Sequence, residues 1–148
     1  MAFEVRSSAA AADKERSVIA FFTDEEWWNL LALAHECGFD PGRELVRIVY
    51  PRKDEGSELD LRRAQQLYIG VNAVLNQDTL PFATTWETED GRLHFRWIKD
   101  PRYERRLVPP GTPADSSVDT DFQLEKSELK RLRDHLYKGP VFVKRIGA

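Results

Sequence analysis

The run Ser17-Val18-Ile19-Ala20-Phe21-Phe22 is almost continuously apolar and rich in β-formers, which predicts a short buried strand. Thr23-Asp24-Glu25-Glu26 follows it with the form of a capping box. In that motif the Thr23 hydroxyl accepts from the Glu26 amide while the Glu26 carboxylate reaches back to the Thr23 amide. Three acids in the first turn also suit the positive end of a helix dipole. The predicted helix runs from Asp24 to Cys37, with Gly38 at C′ and Phe39 folding back onto the last turn. Asp40-Pro41-Gly42 then makes a turn.

At about 100° per residue, Trp27, Leu30, Leu31 and Ala34 share one face of this helix. Trp28 and Leu33 lie on its opposite flanks, and Asn29, Glu25 and Glu36 mark the wet side. The apolar band is wider than one packing stripe requires. Either the helix is covered on two sides, or one of the adjacent tryptophans lies near the surface.

Further along, Arg43–Tyr50 alternates imperfectly and reads as a strand, with a helical reading close behind because Pro41 could open one. Pro51–Gly56 is an exposed loop. Ser57 caps a second helix reaching Asn76, with Ala64, Leu67, Tyr68, Val71 and Leu75 on its face. Phe82–Thr88 and Arg92–Ile98 flank Asp90-Gly91, a two-residue hairpin signal. Closing that turn pairs Trp86 with Phe95, Thr84 with Trp97, Glu87 with His94 and Thr85 with Arg96. One face is then aromatic and the other carries complementary charge. Residues 99–121 form a long proline-rich loop, basic at its start and acidic at its end. Glu125–Lys138 is helical, Gly139-Pro140 stops it, and Val141–Ile146 is a last strand.

The resulting order, β-α-β-α-β-β-α-β, predicts an α+β fold: a mixed or antiparallel sheet with about three helices packed on it. A mobile N-terminal arm occupies residues 1–16, with Phe3–Val5 as a short strand within it, and residues 17–148 form one globular domain. The 148 residues are 41% hydrophobic and 32% charged, enough for a core and a polar coat.

The net charge of −3 gives no general attraction for nucleic acid or an anionic membrane. Cys37 is the only cysteine, which rules out an intramolecular disulfide and a thiolate zinc cage and fits a reducing compartment. The first residues lack a basic segment followed by an apolar run, so the expected setting is the cytoplasm.

Candidate chemistry is sparse. His35-Glu36-Cys37 has no second cysteine pair to complete a zinc deaminase and no His at position 39 to complete a zincin. Asp115, Asp119, Asp121 and Glu125 fail the calcium-loop spacing. There is no glycine-rich phosphate loop and no nucleophile elbow. No catalytic, cofactor or metal residue is therefore assigned. The leading expectation is a non-catalytic protein-binding module of immunity or inhibitor type. Trp28, Trp27 and Leu33 would supply the apolar anchor, and Arg102, Arg105 and Asp119 the steering charges. The alternative is a small enzyme with a non-local site around Glu87 and His94. The third reading is nucleic-acid binding through Arg102, Arg105 and Arg106.

Overall fold

The computed structural model describes residues 2–7, 18–39, 47–52, 54–76, 80, 83–97 and 121–146. Two antiparallel sheets make up the strand framework of this α+β fold. The first holds β1 (Ala2–Ser7), β2 (Val18–Thr23), β3 (Gly56–Leu59) and β7 (Val141–Ile146), in the order β2-β1-β7-β3. The second holds β4 (Ala83–Glu87), β5 (Arg92–Trp97) and β6 (Asp121–Glu125), in that order. Three longer helices pack among them: α1 (Asp24–Glu36), α2 (Leu61–Asn76) and α3 (Lys126–Lys138).

β1 pairs with β2 on one side and β7 on the other, and Phe3 and Val5 are fully buried. Residues 2–7 thus belong to the domain and not to an arm, because their alternate apolar side chains form part of the core. Residues 8–17 lie outside the described residues. A bulge shifts the β1–β2 register from Val5↔Ala20 to Arg6↔Val18, which leaves Ile19 as the extra residue. Ile19 and Ala20 are consequently both buried where strict alternation would expose one.

α1 has the caps its sequence encodes. Thr23 Oγ1 accepts from the Glu26 amide at 3.1 Å, and the Thr23 amide donates to Glu26 Oε1 at 2.9 Å. At the other end Phe39 N–H donates to the Ala34 carbonyl and Gly38 N–H to that of His35, a Schellman pair with Phe39 folded into the core. Cys37 is the cap residue, so the helix proper ends at Glu36.

Three expectations are corrected. The second helix starts at Leu61, not Ser57, because Gly56–Leu59 is needed as an edge strand on β7 and buries Leu59. Asp60 provides the cap instead, accepting from the Arg63 amide at 2.9 Å. Residues 47–49 are helical rather than extended, with Val49 buried and its carbonyl taken by the Trp27 indole at 2.8 Å. Asp121–Glu125, expected as the end of a loop and the start of a helix, is a strand paired with β5.

The hairpin exists, but its register differs by one residue. Ala83 pairs with Trp97, Thr85 with Phe95, Trp86 with His94 and Glu87 with Leu93. A two-residue type I′ turn needs positive φ at both central positions. Here only Gly91 has it, at 82°, and Asp90 does not. The chain makes a three-residue loop instead, with the Thr88 amide donating to Arg92 O and the Gly91 amide to Thr88 O, both at 3.0 Å. Asp90 stabilises that loop by accepting from the Thr88 hydroxyl and, at 3.3 Å, from the Arg92 amide. One step of register moves Trp86 to the outer face, where it stacks on His94 at 5.3 Å with Arg96 above its ring.

Two substitutions test this packing. A Cβ on Gly70 would lie 2.7 Å from Ala34 Cβ and 2.9 Å from the Ala34 backbone, where α2 crosses α1. Ala is the better helix former by about 1 kcal/mol. Forcing two backbones apart nonetheless overrides that gain, since overpacking loses roughly 1–3 kcal/mol. Gly70→Ala should therefore lower the urea midpoint; a raised midpoint would mean the helices are not in contact. Gly91→Val places a β-branched residue at positive φ and should lose about 1–2 kcal/mol, read in the same denaturation experiment.

Candidate functional site

α1 meets both sheets, and a groove opens where its first turns pass between β2 and β6. The Trp27 side of the helix faces the first sheet: its ring lies 5.6 Å from Phe3 and 5.5 Å from Phe22. Asn29, about 200° further round at 100° per residue, lies on the opposite side and lines the groove. The space measures about 580 Å³. β2 contributes Phe21 and Thr23, α1 adds Glu25, Glu26 and Asn29, and β5 adds Arg92. β6 supplies Phe122, Gln123 and Glu125, and α3 supplies Glu128.

Four carboxylates thus line the groove with the guanidinium of Arg92, and one of the four, Glu128, also pairs with Arg131. Each acid sits there for a local reason. Glu25 and Glu26 occupy the first turn of α1, where the dipole favours them. Glu125 precedes α3, and Glu128 is in its first turn, where it accepts from the Phe21 amide at 3.0 Å. That last bond blocks an outward N–H on edge strand β2. Arg92 lies among acceptors, 3.4 Å from Gln123 Oε1, 3.6 Å from Glu125 and 3.7 Å from Asp90.

Asn29 is the anomaly. It is 1% exposed, and neither Oδ1 nor Nδ2 has a hydrogen-bond partner. Buried polar groups are nearly always satisfied, and leaving one unmet costs roughly 1–3 kcal/mol. The sequence reading placed Asn29 on the wet side. Its i+3 and i+4 neighbours, Ala32 and Leu33, are apolar and buried, and that was the available signal of a covered face.

The expected partner-binding residues fall differently. Trp27 and Leu33 are fully buried and present no surface to a partner, since α1 is covered on both sides. Trp28 is half-buried, with its indole nitrogen enclosed and unbonded. Arg102, Arg105, Arg106 and Asp119 lie outside the described residues. Glu87 and His94 are not brought together: adjacent register positions put them on opposite faces of the sheet. Glu87 pairs with Lys126 at 3.1 Å, and His94 Nε2 lies 3.2 Å from the Thr88 hydroxyl. Among the described residues no three His, Cys, Asp or Glu side chains are grouped so as to hold a metal ion. No described helix is long and apolar enough to cross a membrane. Compared with protein families, curated proteins and solved structures, the chain matches none.

Asn29→Leu replaces an unmet amide with an apolar group of similar size and should raise stability by about 1–2 kcal/mol in thermal or urea unfolding. An unchanged or lowered stability would show that the amide is satisfied in solution. Cys37 offers a second test. Burial, helped by the Glu36 charge, pushes its thiol up to about 11 from 9.0. The native thiolate fraction near pH 8 then falls by about a hundredfold. Iodoacetamide should label the unfolded chain far faster than the folded one, and the folded rate should climb only as pH approaches 11. Because the folded state holds this proton more tightly, the associated stability is present below pH 9 and lost between pH 9 and 11.

Proposed function

We propose that this protein is a non-catalytic binding module of inhibitor or immunity type, whose groove between the two sheets receives a basic region of a partner protein. The observation that carries this reading is the lining itself. Four carboxylates from α1, β6 and α3 line the groove beside the guanidinium of Arg92, with Glu128 also paired to Arg131 and Phe21 exposed among them. Such a surface attracts cations, steers a basic partner and repels the phosphates of nucleic acid. The lone cysteine supports a reducing, cytoplasmic setting for this encounter.

The anchor is thereby moved from the tryptophans to the groove. Glu25 and Glu125 are exposed, so charge can be removed there without opening the core. Full-length protein and the Glu25→Gln/Glu125→Gln variant, immobilised side by side, should differ in what they retain from native extract. The wild type should hold a basic protein that rising salt releases, and the variant should hold it about tenfold less tightly. Equal retention by both forms, or retention of an acidic partner insensitive to salt, would overturn this reading.

A further inference from the structure

We propose that β4 is a self-association edge, on which a second copy of this chain adds its own β4 antiparallel, with Trp86 of the two copies meeting on the two-fold axis. The inference goes beyond the groove reading and does not rest on it, since β4 lies at the opposite side of its sheet from β6.

Hydrogen-bond parity decides what this edge offers. The Thr88 amide donates to Arg92 O, so Thr88 and Arg92 form a hydrogen-bonded pair. Bonded and non-bonded pairs alternate along an antiparallel ladder. Trp86–His94 and Thr84–Arg96 are therefore bonded pairs, and the backbone groups of Ala83, Thr85 and Glu87 point away from β5. Ala83 is already bridged to Leu80. Thr85 and Glu87 are left, and among the described residues nothing takes their amides. β2 is treated differently: the Phe21 amide donates to Glu128 and the Thr23 amide to Glu26. β4 has no such guard, no proline and no bulge to discourage pairing.

The two open residues select the register. A two-fold through Trp86 sets Thr85 of each copy opposite Glu87 of the other, and each pair exchanges both its N–H···O bonds. A two-fold through Glu87 would oppose two carboxylates, and one through Thr85 would set Glu87 opposite Ala83, whose groups Leu80 holds. With the axis at Trp86 no like charges face each other. The two Trp86 side chains then fall at a non-hydrogen-bonded position, where side chains approach most closely. Trp86 is 41% exposed and its ring stacks on His94, so pairing extends that stack across the axis and covers a wet ring. The Glu87 carboxylate keeps its Lys126 partner on the other face. The interface is short, which places the dimer among weak, concentration-dependent associations.

The test is sedimentation of the full chain from about 10 µM to about 1 mM, over which the average mass should rise from monomer toward dimer. The Thr85 and Glu87 amides should gain protection from hydrogen exchange over the same range. Trp86→Lys puts like charge on the axis and should weaken association at least about tenfold, as should Trp86→Glu. An equimolar mixture of the two variants should associate more tightly than either alone, because opposite charges then meet. Such recovery requires folded edges, which separates lost pairing from lost folding. A chain monomeric at the highest concentration, a dimer that either single variant leaves intact, a mixture no tighter than its components, or protection confined to other strands would each overturn the inference.

Discussion

Helix α1 carries apolar side chains around most of its circumference, and no single layer of structure can cover them. Trp27, Leu30, Leu31, Ala32, Leu33 and Ala34 are all buried. Trp27 packs between Phe3 and Phe22 of the first sheet, Ala34 abuts Gly70 of α2, and the far side approaches β6 of the second sheet. Burying a large apolar side chain is worth about 1.5–3 kcal/mol, so covering this helix on all sides is a strong reason to bring two sheets together. The N-terminal strand matters for the same reason: without β1 the first sheet would lack the Phe3 and Val5 surface on which α1 rests.

The groove follows from that arrangement. Each sheet ends in an edge strand near α1, β2 in one and β6 in the other, and α3 contacts both. Edges with open N–H groups invite unwanted pairing, and charge beside them discourages it. Glu128 does this for Phe21 directly. Acids that cap helices and guard an edge are individually ordinary. Their convergence on one hollow is a property of the fold and of no single segment.

What could be read from sequence depended on the range over which each feature is determined. The capping box at Thr23 and the Gly38-Phe39 stop involve a few consecutive residues, and both formed as read. Asp90-Gly91 marked the hairpin, yet the same dipeptide serves a two- or a three-residue loop, and the choice rests on the φ of Asp90. That one ambiguity carried Trp86 to the wrong face and created the Glu87–His94 pair. β3 and β6 were missed because four- and five-residue edge strands are defined by their partners β7 and β5 more than by their own pattern. Of the groove, only acids were visible, Glu25 and Glu26 at the α1 cap and Glu125 in a run that fails the calcium-loop spacing; Asn29 was read as wet because a helical wheel marks polarity and not what lies opposite.

Other buried polar atoms in the structure also lack a partner, and the comparison shows why Asn29 differs. Asp24 Oδ1 and Arg145 Nε are unbonded, but each residue keeps a strong contact through another atom, the 3.0 Å pair between Asp24 Oδ2 and Arg145 Nη2. Trp28 has a single donor to satisfy, on a ring whose burial is otherwise favourable. Asn29 has two unmet groups, a short side chain and no compensating contact, in a position flanked by Ala32 and Leu33 where an apolar residue would pack better. An amide held unmet among apolar neighbours works against folding stability. The carboxylates can be explained by helix capping and edge protection alone; the amide cannot.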